Sequence, residues 1–149
     1  MEVVIDNNEF CIRLYQNVAY LKVTGIQDES GADFFEKTVD EVIEEYSHDR
    51  FAALCDLTEL ILPEPSVSKQ VNNAILKLSS RINVECIAII MQPKFLQIIQ
   101  AYLFSFYLKN ISVKTKIFQD KDKAIDWLTD FGYQLTEIES FLKIKEKAD

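Results

Sequence analysis

Apolar and polar positions change their period several times along the chain, and each change predicts a new element. Two N-terminal stretches, residues 10–15 and 18–24, are rich in β-branched and aromatic residues and alternate in part, which predicts two strands. Gln16 and Asn17 between them suit a two-residue hairpin turn, and Gly25 is expected to end the second strand. Residues 3–5 could add a further strand at the edge.

Residues 28–48 change to a helical period. Phe35, Val39, Val42 and Tyr46 form one apolar stripe, and acidic residues occupy most of the remaining positions. The acids of the first turns suit the positive end of the helix dipole. Two interpretations of the acidic surface stay open: a solvated face, or a recognition surface for a basic partner.

The middle of the chain predicts two strands buried on both faces, residues 51–56 and 84–91, because their apolar runs do not alternate. Pro63 and Pro65 predict a loop over residues 56–65, since proline disfavours helix at and before its position. A helix is expected to begin at Ser66, whose hydroxyl suits an N-cap.

The last third predicts a helix after Pro93 to about residue 109, an edge strand over residues 113–118, and a helix from an Asp120 cap to Gly132. Thr136 and Glu139 fit the capping box of a short final helix. The whole pattern predicts an α/β fold with a mostly parallel sheet of about five strands, an antiparallel N-terminal hairpin, four main helices and a short C-terminal helix. We expect one domain over residues 1–149, with its core at about 10–132 and a docking helix and tail at 133–149.

Composition and charge exclude several classes of protein. Of the net charge of −8, the first 65 residues carry 15 acidic and 4 basic side chains, and the only basic cluster, near the C-terminus, is short and interrupted. We therefore expect no nucleic-acid partner. No apolar run is long enough for a membrane span and the first residues lack a signal-peptide pattern, so a cytoplasmic location is expected. Three separated cysteines indicate buried reduced thiols.

The chain shows little catalytic apparatus. It has one histidine, His48, and it lacks the nucleotide-binding glycine loops and the nucleophile elbow, so we expect no cofactor and no metal. Carboxylate chemistry remains as an alternative, because Asp56 ends a central strand where open α/β sheets place ligands. Glu59 and Glu64 follow it and could act with it as acid and base or hold Mg²⁺.

A family resemblance begins at Asp56. The segment Leu54-Cys55-Asp56-Leu57-Thr58, a long loop and a helix opening at Ser66 resemble the centre of STAS domains, the anti-sigma-factor antagonist fold, and the order of elements over about residues 10–132 agrees. The ending with Asp120, Ala124 and the Trp127-Leu128 pair is similar to a divergent STAS-like branch that borders Sec14-type lipid-binding domains. The resemblance implies a regulatory module, or a carrier of an apolar ligand.

The chain departs from the family where its switch would lie. Typical anti-sigma antagonists have Asp-Ser-Ser-Gly at the second helix, with the first serine phosphorylated, and these places fall here at Glu64, Pro65, Ser66 and Val67. Proline cannot accept phosphate. Ser66 or Ser68 could still be modified at the helix N-terminus.

The leading hypothesis is a non-catalytic, STAS-type regulatory or protein-interaction module. The alternative is a carrier or sensor of a small apolar or lipid-like ligand, and the third hypothesis is a carboxylate-based enzyme at Asp56. The predicted binding edge combines the acids and apolar residues of the loop with the start of the next helix, namely Asp56, Thr58, Leu60, Leu62, Glu64, Ser66 and Ser68.

The helix after Pro93 is apolar nearly all round, so one face of it needs a cover. The C-terminal helix, a second subunit and an apolar ligand are the three candidates. We predict a homodimer whose interface contains the residues outside the main stripe, namely Leu96, Phe104, Tyr107 and Leu108.

Overall fold

A computed structural model describes residues 2–26, 28–61, 64–93 and 113–148. Six strands form one sheet, and we number the elements in chain order. The strands are β1 Glu2–Asp6, β2 Phe10–Tyr15, β3 Val18–Ile26, β4 Phe51–Ile61, β5 Val84–Ile90 and β6 Lys114–Phe118. The helices are α1 Glu29–Glu45, α2 Pro65–Arg81, α3 Lys121–Asp130 and α4 Thr136–Ala148.

The strands lie in the sheet in the order in which they follow one another along the chain. β1, β2 and β3 pair antiparallel, and β3, β4, β5 and β6 pair parallel. This confirms the predicted fold class. The sheet has six strands because the edge strand suggested by residues 3–5 does form.

Among the described residues, one pair of helices packs against each face of the sheet. Ala52 and Leu54 of β4 point to the face that α3 and α4 cover with Leu128 and Ile138. Phe51 of β4 lies on the opposite face, beneath α1 and α2. The domain therefore has three layers, and the alternation along β4 assigns its residues to two separate cores.

Several predicted boundaries were wrong, and pairing between strands explains the largest errors. β3 does not end at Gly25 but continues to Ile26, with Gly25 at a φ of +74° that glycine adopts without strain. Residues 57–61 are not a loop, because they continue β4 alongside β3. α1 ends at Glu45, three residues before His48, with Asp28 as its N-cap.

Two predicted helix caps were also wrong. Pro65 is the first residue of α2, a position that proline favours because its missing N–H needs no partner there. Glu64 is therefore the N-cap, and Ser66 lies inside the helix. Thr136 is the first helical residue of α4, and the backbone N–H of Glu139 donates to the carbonyl of Leu135. The predicted helix after Pro93 lies outside the described residues.

Candidate functional site

β4 extends beyond β5 at the carboxyl end of the parallel strands. Its pairing with β5 reaches only Asp56, opposite Ile90, whereas its pairing with β3 continues to Ile61. Residues 24–26 of β3 and 57–61 of β4 thus form a two-stranded ribbon, which we call the β3–β4 extension. It lies at the edge of the sheet where both α1 and α2 begin.

A β-bulge determines which side chains lie on each face of the extension. The register shifts between Lys22, opposite Asp56, and Thr24, opposite Glu59, so β4 has one extra residue there. The Asp56 carboxylate accepts hydrogen bonds from the Thr58 backbone N–H at 3.0 Å and from the Thr58 hydroxyl at 2.6 Å. Asp56 therefore stabilises the bulge, which is a structural role.

The bulge separates apolar from charged side chains. Leu57 and Leu60 both pack into the core on the α1 and α2 side, although they are three residues apart. Glu59 pairs instead with Lys22, with 2.6 Å between the Glu59 carboxylate and the Lys22 Nζ. Both partners are substantially exposed, so the pair contributes little to stability.

Three titratable side chains near Asp56, those of Tyr20, Lys22 and Cys55, keep their protons at neutral pH. The hydrogen bond that Lys22 donates to the Glu59 carboxylate raises the pKa of Lys22, which stays charged at neutral pH. Burial raises the pKa of Tyr20 well above its usual value of 10, and the negative charge of Asp56 adds to that effect. Burial also raises the pKa of the Cys55 thiol to about 12. Tyr20 and Cys55 are therefore poor bases and poor nucleophiles at this edge.

The structure brings most of the predicted site residues together at this edge. Asp56 and Thr58 form the bulge, and Leu60 is half-buried. At α2, Glu64 and Ser66 are exposed, whereas Ser68 is only 7% exposed. The remaining predicted residues, Leu62, Leu96, Phe104, Tyr107 and Leu108, lie outside the described residues.

Three further polar residues at this edge, Tyr20, Lys22 and Gln92, were not predicted. Lys22 and Tyr20 reach Asp56 and Glu59 from the neighbouring strand, and Gln92 donates from its side chain to the Thr58 carbonyl at 3.1 Å. Lys22 is the only charged residue in an otherwise apolar strand, and this was the one feature of the sequence that could have indicated its role. Its partner could be identified only from the parallel register of β3 and β4.

The residues that the structure describes contain no group of three or more His, Cys, Asp or Glu side chains that could hold a metal ion. Among the described helices, none combines the length and the apolar character that crossing a membrane requires.

Three solved structures with a similar fold are an uncharacterised protein and two anti-sigma factor antagonists. An uncharacterised DUF3478 protein with a SpoIIAA-like fold from Shewanella loihica PV-4 is 19% identical with a TM-score of 0.61, covering 85% of this chain and 98% of the other. The anti-sigma factor antagonist SpoIIAA in its unphosphorylated form is 11% identical, with a TM-score of 0.54 and coverage of 80% and 97%. An anti-sigma factor antagonist from Mycobacterium paratuberculosis is 16% identical, with a TM-score of 0.50 and coverage of 78% and 90%.

These likenesses confirm the STAS-like, or SpoIIAA-like, fold that the residues around Asp56 indicated. No curated protein matches the chain. A family model matches residues 17–132, which include β3 to α3 and the whole β3–β4 extension. The chain belongs to the family described as domain of unknown function DUF7793.

Proposed function

We propose that this protein is a non-catalytic regulatory module that binds a protein partner through the β3–β4 extension and the first turn of α2. The observation that carries the proposal is Ile61, which ends the extension and is 54% exposed. An exposed apolar side chain at the end of a strand can anchor an interface without rearrangement of the core. Two similar structures belong to antagonists of anti-sigma factors, which act on proteins, and they support the class of function.

The charge at this edge favours a basic partner. Glu59 and Glu64 flank Ile61 along the chain and are exposed, and Glu29 begins α1 at the same edge. Complementary charge of this kind accelerates association and selects among partners more than it strengthens the final complex. Further along α1, Asp33 and Asp40 interact with Gln70 and Lys77 of α2, so only part of the acidic helix is free for recognition.

Ser66 is the residue through which phosphorylation could control this edge. It is exposed in the first turn of α2, where the helix N-terminus favours an added phosphate. Ser68 is a poor acceptor because it is buried. The first serine of the anti-sigma antagonist motif corresponds to Pro65 in this chain. Phosphorylation here would therefore have to occur at the next residue, Ser66.

The test compares Ile61→Ser with Ile144→Ser, which removes an apolar side chain of 68% exposure from α4. Each tagged variant and the parent protein is crosslinked in cells, and the captured proteins are quantified by mass spectrometry. We expect Ile61→Ser to lose a specific partner at least tenfold and Ile144→Ser to retain it, with melting temperatures of both near the parent value. Equal capture by all three proteins would contradict the proposal.

The predicted homodimer stays a prediction, because its interface residues lie outside the described residues. Analytical ultracentrifugation at micromolar concentration tests it. We expect a dimer that Phe104→Glu dissociates, since burying a carboxylate among apolar residues is unfavourable. A monomer that Phe104→Glu leaves unchanged would show the prediction to be wrong.

A further inference from the structure

A cavity of about 280 Å³ lies between the sheet and the pair of helices α1 and α2. Ala53 and Ile87 form part of its floor on β4 and β5, and Val39 of α1 and Ile75 of α2 form part of its roof. It lies on the inner side of the β3–β4 extension, and among the described residues of the predicted site only Leu60 and Ser68 line it.

The two faces of the sheet differ in how closely the helices approach. α3 lies close to β5 because small residues, Ala88 and Ala124, meet there with no exposed surface. By contrast, α1 and α2 approach each other more closely than they approach the sheet. The Gln70 amide joins the two helices by donating to Asp33 at 2.6 Å, and Lys77 pairs with Asp40. The backbones of α1 and α2 therefore lie farther from the strands than the backbone of α3 does.

The exposure along β4 shows the same asymmetry. Ala52 and Leu54, which face α3 and α4, have 0% exposure. Ala53 and Cys55, their neighbours on the other face of the same strand, are only half-buried and line the cavity. Interiors are normally packed to crystal density, so apolar side chains left accessible on an inner strand indicate space that a molecule can enter.

The chemistry of the walls restricts what that molecule can be. None of the described residues that line the cavity carries a charge, so an ionised ligand would lose its hydration without compensation. The polar side chains are Thr38, Ser68, Asn72 and Ser79. Among them, the Asn72 carboxamide makes no hydrogen bond with the described residues and can both donate and accept.

The volume of the cavity limits the size of the molecule that it can hold. The cavity volume of about 280 Å³ has room for a chain of several non-hydrogen atoms. This is just below the range of cavities that bind drug-sized ligands.

We propose that the cavity is a binding site for a small neutral apolar molecule with one hydroxyl or carbonyl group. The apolar body lies against Ala53, Cys55 and Ile87, and the polar group bonds to Asn72. This inference goes beyond the interaction proposal and does not depend on it.

1-Octanol, with nine non-hydrogen atoms, is the probe, and octanoate is its charged counterpart. Calorimetric titration should give a Kd for octanol below 1 mM and at least tenfold weaker binding of octanoate. Methyl NMR locates the site: the signals of Ile87 and Ile89 should shift with octanol, while those of Ile125 and Ile138 on the opposite face should not. Absence of octanol binding, or equal shifts on both faces, would overturn the proposal.

Two variants test the assigned walls. Ala53→Ile fills the cavity and should weaken octanol binding at least tenfold without lowering the melting temperature, whereas Val4→Ile on the exposed face of β1 should change neither. Asn72→Ala should weaken octanol but leave octane, which has no polar group, unaffected. This second variant keeps the test decisive if Ala53→Ile does not fold. If both variants bind octanol as tightly as the parent, octanol does not bind in this cavity and the proposal is wrong. This conclusion would hold whatever the result of the partner-capture experiment.

Discussion

Replacing Tyr133 by phenylalanine tests how much a polar cluster contributes to stability. The cluster joins the α3–α4 connection to the amino ends of β4 and β5. Tyr133 is 2% exposed, and its hydroxyl donates to the Glu85 carboxylate at 2.9 Å. The Arg50 guanidinium lies over the Tyr133 ring at 3.9 Å from its centroid, within 3.3 Å of Glu85, and donates to the Phe131 carbonyl. The substitution removes one hydrogen bond and keeps the ring on which Arg50 lies.

The expected loss in the free energy of unfolding follows from that single hydrogen bond. A hydrogen bond to a charged group contributes about 1.5–3 kcal/mol, and the Glu85 side chain is 37% exposed, so water can replace part of it. We expect a loss of about 1–2 kcal/mol at pH 7. For a domain of this size, that corresponds to a fall in Tm of roughly 3–6 °C.

The pH dependence gives a second readout. Burial raises the pKa of Tyr133 from 10 to about 12, so the folded protein keeps the hydroxyl protonated after the unfolded chain has lost that proton. The stabilisation is complete below pH 10 and is lost as the pH rises toward 12, by up to about 1.4 kcal/mol per pH unit. Phenylalanine cannot titrate, so the difference between parent and variant should shrink as the pH rises.

Urea denaturation followed by Trp127 fluorescence at pH 7, 9 and 10.5 measures both effects. Tyr15→Phe is the matched control, because Tyr15 is half-buried and contacts Arg13 only through its ring. A Tyr133→Phe variant as stable as the parent at pH 7, or a difference that stays constant up to pH 10.5, would refute the reasoning.

Three further substitutions test the core, a turn and the candidate site. Leu128→Ala should cost about 2–5 kcal/mol in urea denaturation, because Leu128 has 0% exposure in the core between α3 and the sheet. Gly132→Ala should cost about 1–2 kcal/mol in the same assay, since Gly132 has a φ of +90° and the added Cβ would meet only Arg50 at an ordinary 3.7 Å. Asp56→Asn keeps an acceptor for Thr58 and should cost less than about 1 kcal/mol, because a neutral acceptor forms a weaker bond than a charged one. Any turnover in a hydrolase and nucleotidase screen that this last variant abolishes would contradict a non-catalytic function.

The elements themselves could be predicted because each depends on local pattern. The alternation before Gln16, the acidic helix after Asp28 and the Asp120 cap all appear where the sequence placed them. Each of these signals lies within one or two turns of the chain or within one strand. The order of helices and strands then restricted the topology to a mostly parallel sheet.

The errors lie where pairing between distant residues decides the structure. Pro63 and Pro65 suggested that the loop starts at Asp56, but backbone pairing with β3 continues β4 to Ile61. The bulge beside Lys22 depends on the register between two strands that are more than thirty residues apart along the chain. The cavity depends on the distance between the helix pair and the sheet, and no local pattern encodes that distance.

The bulge also connects the two proposed sites. Leu57 and Leu60 line the cavity, while their neighbours Glu59 and Ile61 are exposed on the β3–β4 extension. A molecule in the cavity would therefore contact the inner side of the strand whose outer side is proposed to bind the partner. If a molecule in the cavity changes the packing of Leu57 and Leu60, it also changes the free energy of holding Ile61 in the position that binds the partner. Coupling between two binding sites is reciprocal, so the partner must then alter the affinity of the cavity by the same factor. Occupancy of an inner cavity would in that way control an outer interface without phosphate, in a chain that has Pro65 at the place where the resemblance to anti-sigma-factor antagonists puts the phosphorylated serine.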